Sequence, residues 1–235
     1  MVLPAIMSLE QQDGDTNLAV FIQAYTYADE KREMDEIALI REAQKGDLDA
    51  FNRLILAYQD IVYSQAYRMM SEPEAAADAT QEAFISAFRK LHTYRGGSFR
   101  AWLLRIVTNA CYDEHRRRKR RPAIPLQPSD SEADEIESPH WMADDGEGPE
   151  GAAERMELSS AIQKCLDNLP DEFRAIVVLV DIQQLDYSEA AMVIGKPVGT
   201  VKSRLARARM RLRDCLQGVW ELLPTQFRLV GEETP

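Results

Sequence analysis

The sequence predicts an all-α protein made of two small helical domains joined by a flexible acidic linker. Apolar residues recur at spacings of three and four along most of the chain, which places them on one side of a helix. No segment alternates apolar and polar residues as a strand would. Residues 122–152 differ completely in composition, and we interpret them as the boundary between two folded parts.

Length and composition narrow the class of protein. The 235 residues, 45% hydrophobic and 29% charged, are typical of a soluble globular chain with one large or two small domains. No apolar run is long enough to span a membrane, and the N-terminus lacks the layout of a signal peptide. We therefore expect a cytoplasmic protein without membrane insertion.

Cysteine and histidine usage gives no indication of a metal site. Cys111, Cys165 and Cys215 each occupy an apolar position of a helical pattern, and we interpret them as small buried hydrophobes rather than as a disulfide or metal site. The three histidines have no ligand-like spacing, so no metal and no cofactor is predicted.

Charge is segregated along the chain. The formal net charge of −11 would repel a phosphate backbone, but residues 116–121 are all basic (RRRKRR), and seven cations with no acid lie between 196 and 213. Between 122 and 154 there are ten acids and no Lys or Arg. Two local positive fields can therefore attract nucleic acid while the total stays negative.

Residues 1–34 are the least informative segment. The short apolar fragment AVFIQAY allows at most one short helix, and a mobile tail is the alternative that we favour. Translation could also start at Met34, just before the first clear helical pattern.

The first predicted domain covers residues 35–121 and contains four helices. Asp35 is placed to cap the first, which ends at Gly46, and Asp47 is placed to cap the second. Ser98 is placed to cap the fourth, which follows a loop with two glycines. The third helix runs from about Pro73 to Leu91, and its expected buried residues are Ala77, Phe84, Phe88 and Leu91.

Residues 122–152 are predicted to form the linker, because five prolines and many acids leave too little apolar surface to fold. The second domain follows at 153–223, and its last helix is expected to reach about Leu223. Residues 224–235 form a tail. Within this domain a helix capped by Ser188, a break at Gly195–Pro197 and a further helix from Val198 have the order of a helix-turn-helix.

The last helix of this motif has two different faces. Its apolar stripe comprises Val198, Val201, Leu205, Ala208, Leu212 and Cys215. The opposite face comprises Gly199, Ser203, Ala206 and Arg207, flanked by Lys202 and Arg213. Small side chains fringed by cations suit insertion into a DNA major groove. The alternative is a solvated basic face on an ordinary amphipathic helix.

Three segments together resemble bacterial sigma factors of the extracytoplasmic-function (ECF) group. They are DATQEAFISAFRKL, RGGSFRAWLLRIVTNACYDEHRRRKR and YSEAAMVIGKPVGTVKSRLARAR. The resemblance covers roughly residues 35–216 and implies a non-catalytic subunit that binds core RNA polymerase and directs promoter-specific transcription initiation. The first domain would be sigma region 2, and the second would be sigma region 4.

The resemblance also implies roles for individual residues. The face that docks on the clamp helices of the largest polymerase subunit would comprise Asp78, Gln81, Glu82 and Ile85. Melted minus-ten DNA would contact Tyr94, Arg95, Ser98, Phe99, Asn109, Asp113, Arg116 and Arg117. Phe99 and its neighbour Trp102 are also candidates for the core. The minus-thirty-five element would contact Thr200, Lys202, Ser203, Arg204, Ala206, Arg207 and Arg209.

Family members are usually held inactive by an anti-sigma protein, so the implied partners are core polymerase, promoter DNA and an anti-sigma factor. The implied location is the cytoplasm, at the nucleoid when bound to polymerase. Three other classes compete with this interpretation: a conventional helix-turn-helix regulator, an enzyme and a helical adaptor. The sequence contains no nucleophile–base constellation or phosphate-binding loop that would favour an enzyme.

Overall fold

The computed structural model describes residues 36–120 and 149–218, with the side chains of the second range described from residue 156 onward. These residues form eight α-helices and no strand, which confirms the all-α prediction. In chain order the helices are α1 Glu36–Gln44, α2 Leu48–Met70, α3 Pro73–Lys90, α4 Phe99–Arg120, α5 Pro149–Asp167, α6 Asp171–Val177, α7 Tyr187–Ile194 and α8 Val198–Gln217.

Helices α1–α4 pack together as an N-terminal domain. As predicted, the Asp47 carboxylate caps α2, accepting hydrogen bonds from the backbone N–H groups of Asp49 and Ala50 at 2.9 and 3.1 Å. The Ser98 hydroxyl likewise caps α4, accepting from the Ala101 N–H at 3.1 Å. The expected cap Asp35 lies outside the described residues.

The buried side of α3 differs from the prediction. It consists of Ala75, Ala76, Ala79, Ala83 and Ala87, whereas Ala77 is exposed. Phe84 is half-buried, Phe88 is 42% exposed, and Leu91 is buried as expected. Because α3 packs against both α2 and α4, methyl side chains allow the close approach that two phenylalanines would prevent.

Helices α5–α8 form a C-terminal domain, with a π-helical turn (Val178–Ile182) after α6. The predicted break at Gly195 is confirmed, since this residue ends α7 with a left-handed backbone at φ +67°. Asp186 caps α7 in place of the predicted Ser188, and the Glu189 carboxylate accepts a hydrogen bond from the Asp186 N–H in return.

The apolar stripe of α8 is also confirmed: Val201, Leu205, Ala208 and Leu212 are buried, while Val198 and Cys215 are half-buried. Helix α8 ends at Gln217, and residues 219–223 lie outside the described part of the chain. Helix α5 begins at Pro149, so the last four residues of the predicted linker belong to a helix. Residues 121–148 lie outside the described ranges.

The prediction for two of the three cysteines is wrong. Cys165 of α5 and Cys215 of α8 form a disulfide, whereas Cys111 is fully buried as expected, and burial raises the pKa of its thiol to about 12. The sequence places both bonded cysteines on apolar stripes. It does not reveal that the stripes of α5 and α8 face each other.

The two domains pack against each other through a buried guanidinium. Arg174, at the centre of α6, is 7% exposed. Its Nη1 donates to the Met69 carbonyl at 2.7 Å, its Nε to the Leu166 carbonyl at 3.0 Å and its Nη2 to the Asp167 carbonyl at 2.8 Å. These carbonyls lie at the C-terminal ends of α2 and α5, where a helix lacks internal donors. This one side chain therefore contacts both domains.

A second group of polar contacts surrounds Arg174. Arg68 donates through Nη1 to the Gln163 side-chain oxygen at 3.2 Å, and the Gln163 amide donates to the Ser71 hydroxyl at 3.1 Å. Ser71 also donates to the carboxylate of Asp167. We call Arg174 and these four residues the interdomain latch. It is the polar part of the interface, beside a core whose buried apolar residues come from both domains.

We predict that Arg174→Ala lowers the free energy of unfolding by about 2–4 kcal/mol, because three buried or half-buried carbonyls lose a charged donor. Urea unfolding of the oxidised full chain measures the change. Arg174→Lys should recover only part of the loss, since an ammonium cannot reproduce the guanidinium fork. The exposed Arg207→Ala is the control and should change stability by less than about 0.5 kcal/mol. An Arg174→Ala protein as stable as the control would contradict this role.

Candidate nucleic-acid interface

Helix α8 presents one polar face to solvent. Lys202, Ser203, Ala206 and Arg207 are all exposed, while the apolar stripe on the other side is buried. Thr200, in the first turn, is half-buried. The Lys202 ammonium lies 5.3 Å from the ring centroid of Tyr187, so α7 helps to position this cation. The structure therefore brings together four of the seven predicted minus-thirty-five residues as one accessible surface.

Arg204 and Arg209 lie beside this surface and pair with carboxylates of their own domain. Arg204 is 2.5 Å from the Glu172 carboxylate, and Arg209 donates to the buried Asp181 carboxylate at 2.6 and 3.2 Å. Burial raises the pKa of Asp181, an effect that Arg209 opposes. These pairs hold α8 against α6 and the π-helical turn, a function of both arginines that the sequence analysis missed.

The loop before α4 is tightly organised. Gly96 and Gly97 have φ of +105° and +96°, a left-handed backbone that favours glycine. The Tyr94 hydroxyl donates to the Gly97 carbonyl at 2.7 Å, closing the loop, while Arg95 and Ser98 are exposed. Such a loop can present polar groups to a nucleic-acid strand in a fixed arrangement.

An aromatic cluster supports the loop from below. Phe99 is 1% exposed and lies 5.3 Å from Tyr94 and 5.5 Å from Tyr58, measured between ring centroids. Trp102 is half-buried and stacks on Phe99 at 5.3 Å. Phe99 thus belongs to the core, which the sequence analysis also considered, and it can act on DNA only by holding the loop in shape.

The polar side of α4 contains Asn109, Asp113, Arg116 and Arg117, all exposed. Arg116 pairs with Asp113 at 3.2 Å, and Arg117 pairs with Glu114 at 2.7 Å. Burial alone would raise the pKa of Glu114, but hydrogen bonds from Arg118 and Arg117 and their positive charges lower it overall. The basic run at the end of α4, residues 116–120, is therefore partly neutralised within its own helix.

The predicted polymerase-binding face adjoins this side of α4. Asp78, Gln81, Glu82 and Ile85 are exposed on α3 and line an open groove of about 810 Å³ between α3 and α4. The other wall of the groove includes Asn109, Asp113 and Arg117. Two sets of residues that the sequence assigned to different partners thus share one groove. The three- and four-residue spacing within each helix could not predict this, because it does not reveal which helices are neighbours.

The opposite side of α4 is covered by the C-terminal domain, with α7 packed against it. Tyr112 of α4 is half-buried there, close to the carboxylates of Asp171 and Glu172. Burial, followed by these two carboxylates, raises the pKa of its phenol to about 12. Lys119 donates to Asp171 at 3.0 Å across the same boundary.

Two further findings concern the part of the chain that the structure describes. No helix in it is long and apolar enough to cross a membrane. Its His, Cys, Asp and Glu side chains include no group of three or more that could hold a metal ion.

The sequence matches two family profiles in this order along the chain. Sigma-70 region 2 matches residues 54–121, and Sigma-70 region 4 matches residues 152–212. The first match lies in the N-terminal domain and includes the loop and α4. The second match ends within α8 and includes its exposed face.

Two similar proteins are named as ECF RNA polymerase sigma factors. The chain is 40% identical over 169 residues to the ECF RNA polymerase sigma factor SigE of Mycolicibacterium smegmatis, covering 72% of this chain and 62% of that relative. It is 36% identical over 179 residues to the ECF RNA polymerase sigma factor SigW of Bacillus subtilis, covering 76% and 95% respectively.

Two solved structures have a similar fold. CnrH, in complex with the cytosolic domain of CnrY, matches with a TM-score of 0.55 and 27% identity over 78% of this chain and 97% of that one. The sigma factor RpoE of Bartonella quintana, in complex with the anti-sigma factor NepR, matches with a TM-score of 0.53 and 22% identity, covering 71% of this chain and 96% of that one.

The raised pKa of Tyr112 gives a test of the domain packing. Above the ordinary value of 10.0 the unfolded chain loses this proton while the folded chain keeps it until about pH 12, so stability falls across that interval. Phenolate absorbance of the wild-type chain minus that of Tyr112→Phe should show ionisation near pH 12, and the variant should lose less stability above pH 10. Ionisation of Tyr112 at its ordinary pH in the folded chain would show that the C-terminal domain does not cover it.

Proposed function

The chain belongs to the ECF group of sigma-70 factors, and we propose that it is the subunit that gives bacterial RNA polymerase its promoter selectivity. The observation that carries this proposal is the pairing of a region 2 domain and a region 4 domain, each with an exposed polar surface suited to nucleic acid. The subunit itself performs no chemical step: its binding energy selects the start site. It acts in the cytoplasm, at the nucleoid when bound to polymerase.

Region 4 reads the minus-thirty-five element through α8. Lys202, Ser203 and Arg207 contact base edges or phosphates, and Ala206 lets the helix approach the floor of the groove. Thr200 contacts the DNA backbone, which positions the domain without specifying sequence. Arg204 and Arg209 hold α8 in place through Glu172 and Asp181, and any phosphate contact they make must compete with these pairs.

Region 2 captures melted minus-ten DNA with the loop and α4. Arg95 and Ser98 are exposed on a loop that Tyr94 and Phe99 hold rigid. A rigid site loses little entropy on binding, which helps to offset the few kcal/mol that extracting a base from the stack costs. Further polar groups that contact the strand are Asn109, Asp113, Arg116 and Arg117.

The exposed face of α3 binds the clamp helices of the largest polymerase subunit. This face offers two carboxylates and an amide that can accept hydrogen bonds from arginines, from Asp78, Glu82 and Gln81. The Ile85 side chain, which is 39% exposed, adds an apolar contact. Since Asn109 and Asp113 line the same groove, bound polymerase would lie beside the melted strand. This proximity supports a direct coupling of polymerase binding to strand capture.

The packed arrangement of the domains cannot span a promoter. Elements near −10 and −35 are roughly 25 base pairs apart, or roughly 85 Å at 3.4 Å per base pair. A packed body of this size is only roughly 40 Å across. The 28 residues from 121 to 148 could reach at most about 100 Å, which is sufficient. The interdomain latch therefore opens when both elements are bound.

An anti-sigma protein is a further proposed partner. One solved neighbour is a sigma factor in complex with an anti-sigma factor, and the other is CnrH in complex with the cytosolic domain of CnrY. A partner that stabilises the packed arrangement would keep the two DNA-binding surfaces too close together to bind a promoter.

The competing function is a conventional helix-turn-helix regulator, which would bind a symmetric duplex site by itself. In-vitro transcription with purified core polymerase distinguishes the two. A sigma factor starts promoter-specific transcripts with core polymerase alone and binds duplex promoter weakly when free. Tight, sequence-specific binding of duplex DNA by the free chain, without specific transcripts, would support the regulator instead.

The same assay tests the division of labour between the domains. Arg207→Ala should reduce promoter-specific initiation roughly tenfold and leave core binding unchanged, because a good base contact contributes about 1–3 kcal/mol. Glu82→Ala should weaken core binding itself by roughly tenfold, through a lost charge-assisted hydrogen bond. The controls Arg53→Ala and Glu42→Ala remove exposed charges from other surfaces. Equal effects of Arg207→Ala and Glu82→Ala on core binding and initiation would contradict the assignment.

A further inference from the structure

A disulfide joins two elements of the DNA-reading domain. Cys165 lies in α5, and Cys215, 50 residues later, lies in the last turn of α8. The C-terminal end of α8 is therefore covalently bonded to α5. Cys111 of the N-terminal domain is fully buried and has no disulfide.

A disulfide in this place is chemically informative. If the chain directs transcription, as proposed above, it works beside the chromosome in a compartment that keeps thiols reduced. Disulfides in such compartments are rare, and they are usually transient and catalytic or redox-sensing. A permanent structural bond is typical of secreted proteins instead.

The two sulfurs differ in access. Cys165 is 2% exposed, whereas Cys215 is half-buried and so can be reached from solvent. The Asn168 side-chain amide lies 4.0 Å from the Cys215 sulfur. Attack by an oxidant or by a reductant would therefore begin at Cys215.

We propose that Cys165 and Cys215 form a reversible thiol–disulfide switch that strengthens minus-thirty-five recognition when it is oxidised. The structure shows the oxidised state. The bond lies within one domain, so it stiffens the attachment of α8 without fastening the two domains together. A recognition helix that is already held in place loses less entropy when it binds DNA.

The reaction balances with a peroxide as the oxidant. The Cys215 thiol attacks a peroxide oxygen, giving a sulfenic acid and one water. The Cys165 thiol then attacks the Cys215 sulfur, forming the disulfide and releasing a second water. A dithiol reductant reverses the switch: one of its thiolates attacks the Cys215 sulfur, its second thiol completes the exchange, and the reductant leaves as a disulfide.

The first experiment counts thiols in the full-length chain. After hydrogen peroxide treatment, alkylation of the denatured chain followed by mass spectrometry should modify Cys111 alone. After treatment with dithiothreitol or thioredoxin it should modify all three cysteines. Failure of the bond to form in the native chain, or failure of thioredoxin to reduce it, would overturn the switch.

The second experiment measures the effect on recognition. Transcription by core polymerase from a promoter that depends on its minus-thirty-five element should be about fivefold higher or more with the oxidised chain, the lower end of typical coupling between sites. Cys215→Ser should remain at the reduced level under both conditions, while Cys111→Ala should respond like the wild-type chain. Equal transcription in the two states would overturn the proposal.

A third measurement separates this proposal from the proposed function. Hydrogen exchange of the α8 amides should be faster in the reduced chain than in the oxidised chain, whether or not either form starts transcripts. If neither form starts transcripts but exchange differs, the proposed function fails and the redox control of α8 stands. Identical exchange in both states would show that the bond does not control the recognition helix.

Discussion

The packing of the two domains depends on which donors bind the backbone carbonyls at the C-terminal ends of α2 and α5. A helix end leaves carbonyl groups without internal donors, and burying them unpaired is costly. Arg174 donates to carbonyls of both helices from a position that is 7% exposed. Arg174 belongs to region 4, and one of its acceptors, the Met69 carbonyl, belongs to region 2. The hydrogen bond that supplies this helix end is therefore also a contact between the domains. The buried apolar residues of both domains form one hydrophobic core around this contact, so separating the domains also costs apolar burial.

This contact determines which surfaces are available. Helix α4 has one side in the groove with α3, where the residues proposed to bind polymerase meet those proposed to bind the melted strand. Its other side lies under the C-terminal domain. Tyr112 marks the covered side. The exposed faces of α3, α4 and α8 all remain accessible in the packed arrangement. We therefore propose that distance rather than burial prevents the packed chain from binding a promoter, because the surfaces are accessible but too close together.

The sequence predicted the features that depend on local chemistry. The all-α class, the caps at Asp47 and Ser98, the break at Gly195 and the exposed face around Arg207 all follow from short-range rules, and each is confirmed. It failed where the result depends on which helices are neighbours. The alanine side of α3 depends on its packing between α2 and α4. The bond between Cys165 and Cys215 and the latch around Arg174 each require helices that are distant in sequence. The roles assigned to individual DNA and polymerase contacts stay predictions.

The central claim is that the two domains are packed in the free chain and separate on the promoter. Energy transfer between fluorophores attached through unnatural amino acids at the exposed positions Arg53 and Ser160, in the two domains, measures this directly. We predict efficient transfer in the free chain and its loss when core polymerase and promoter DNA are added, because the labelled domains then bind elements roughly 85 Å apart. Unchanged transfer in a complex that is actively starting transcripts would contradict the account.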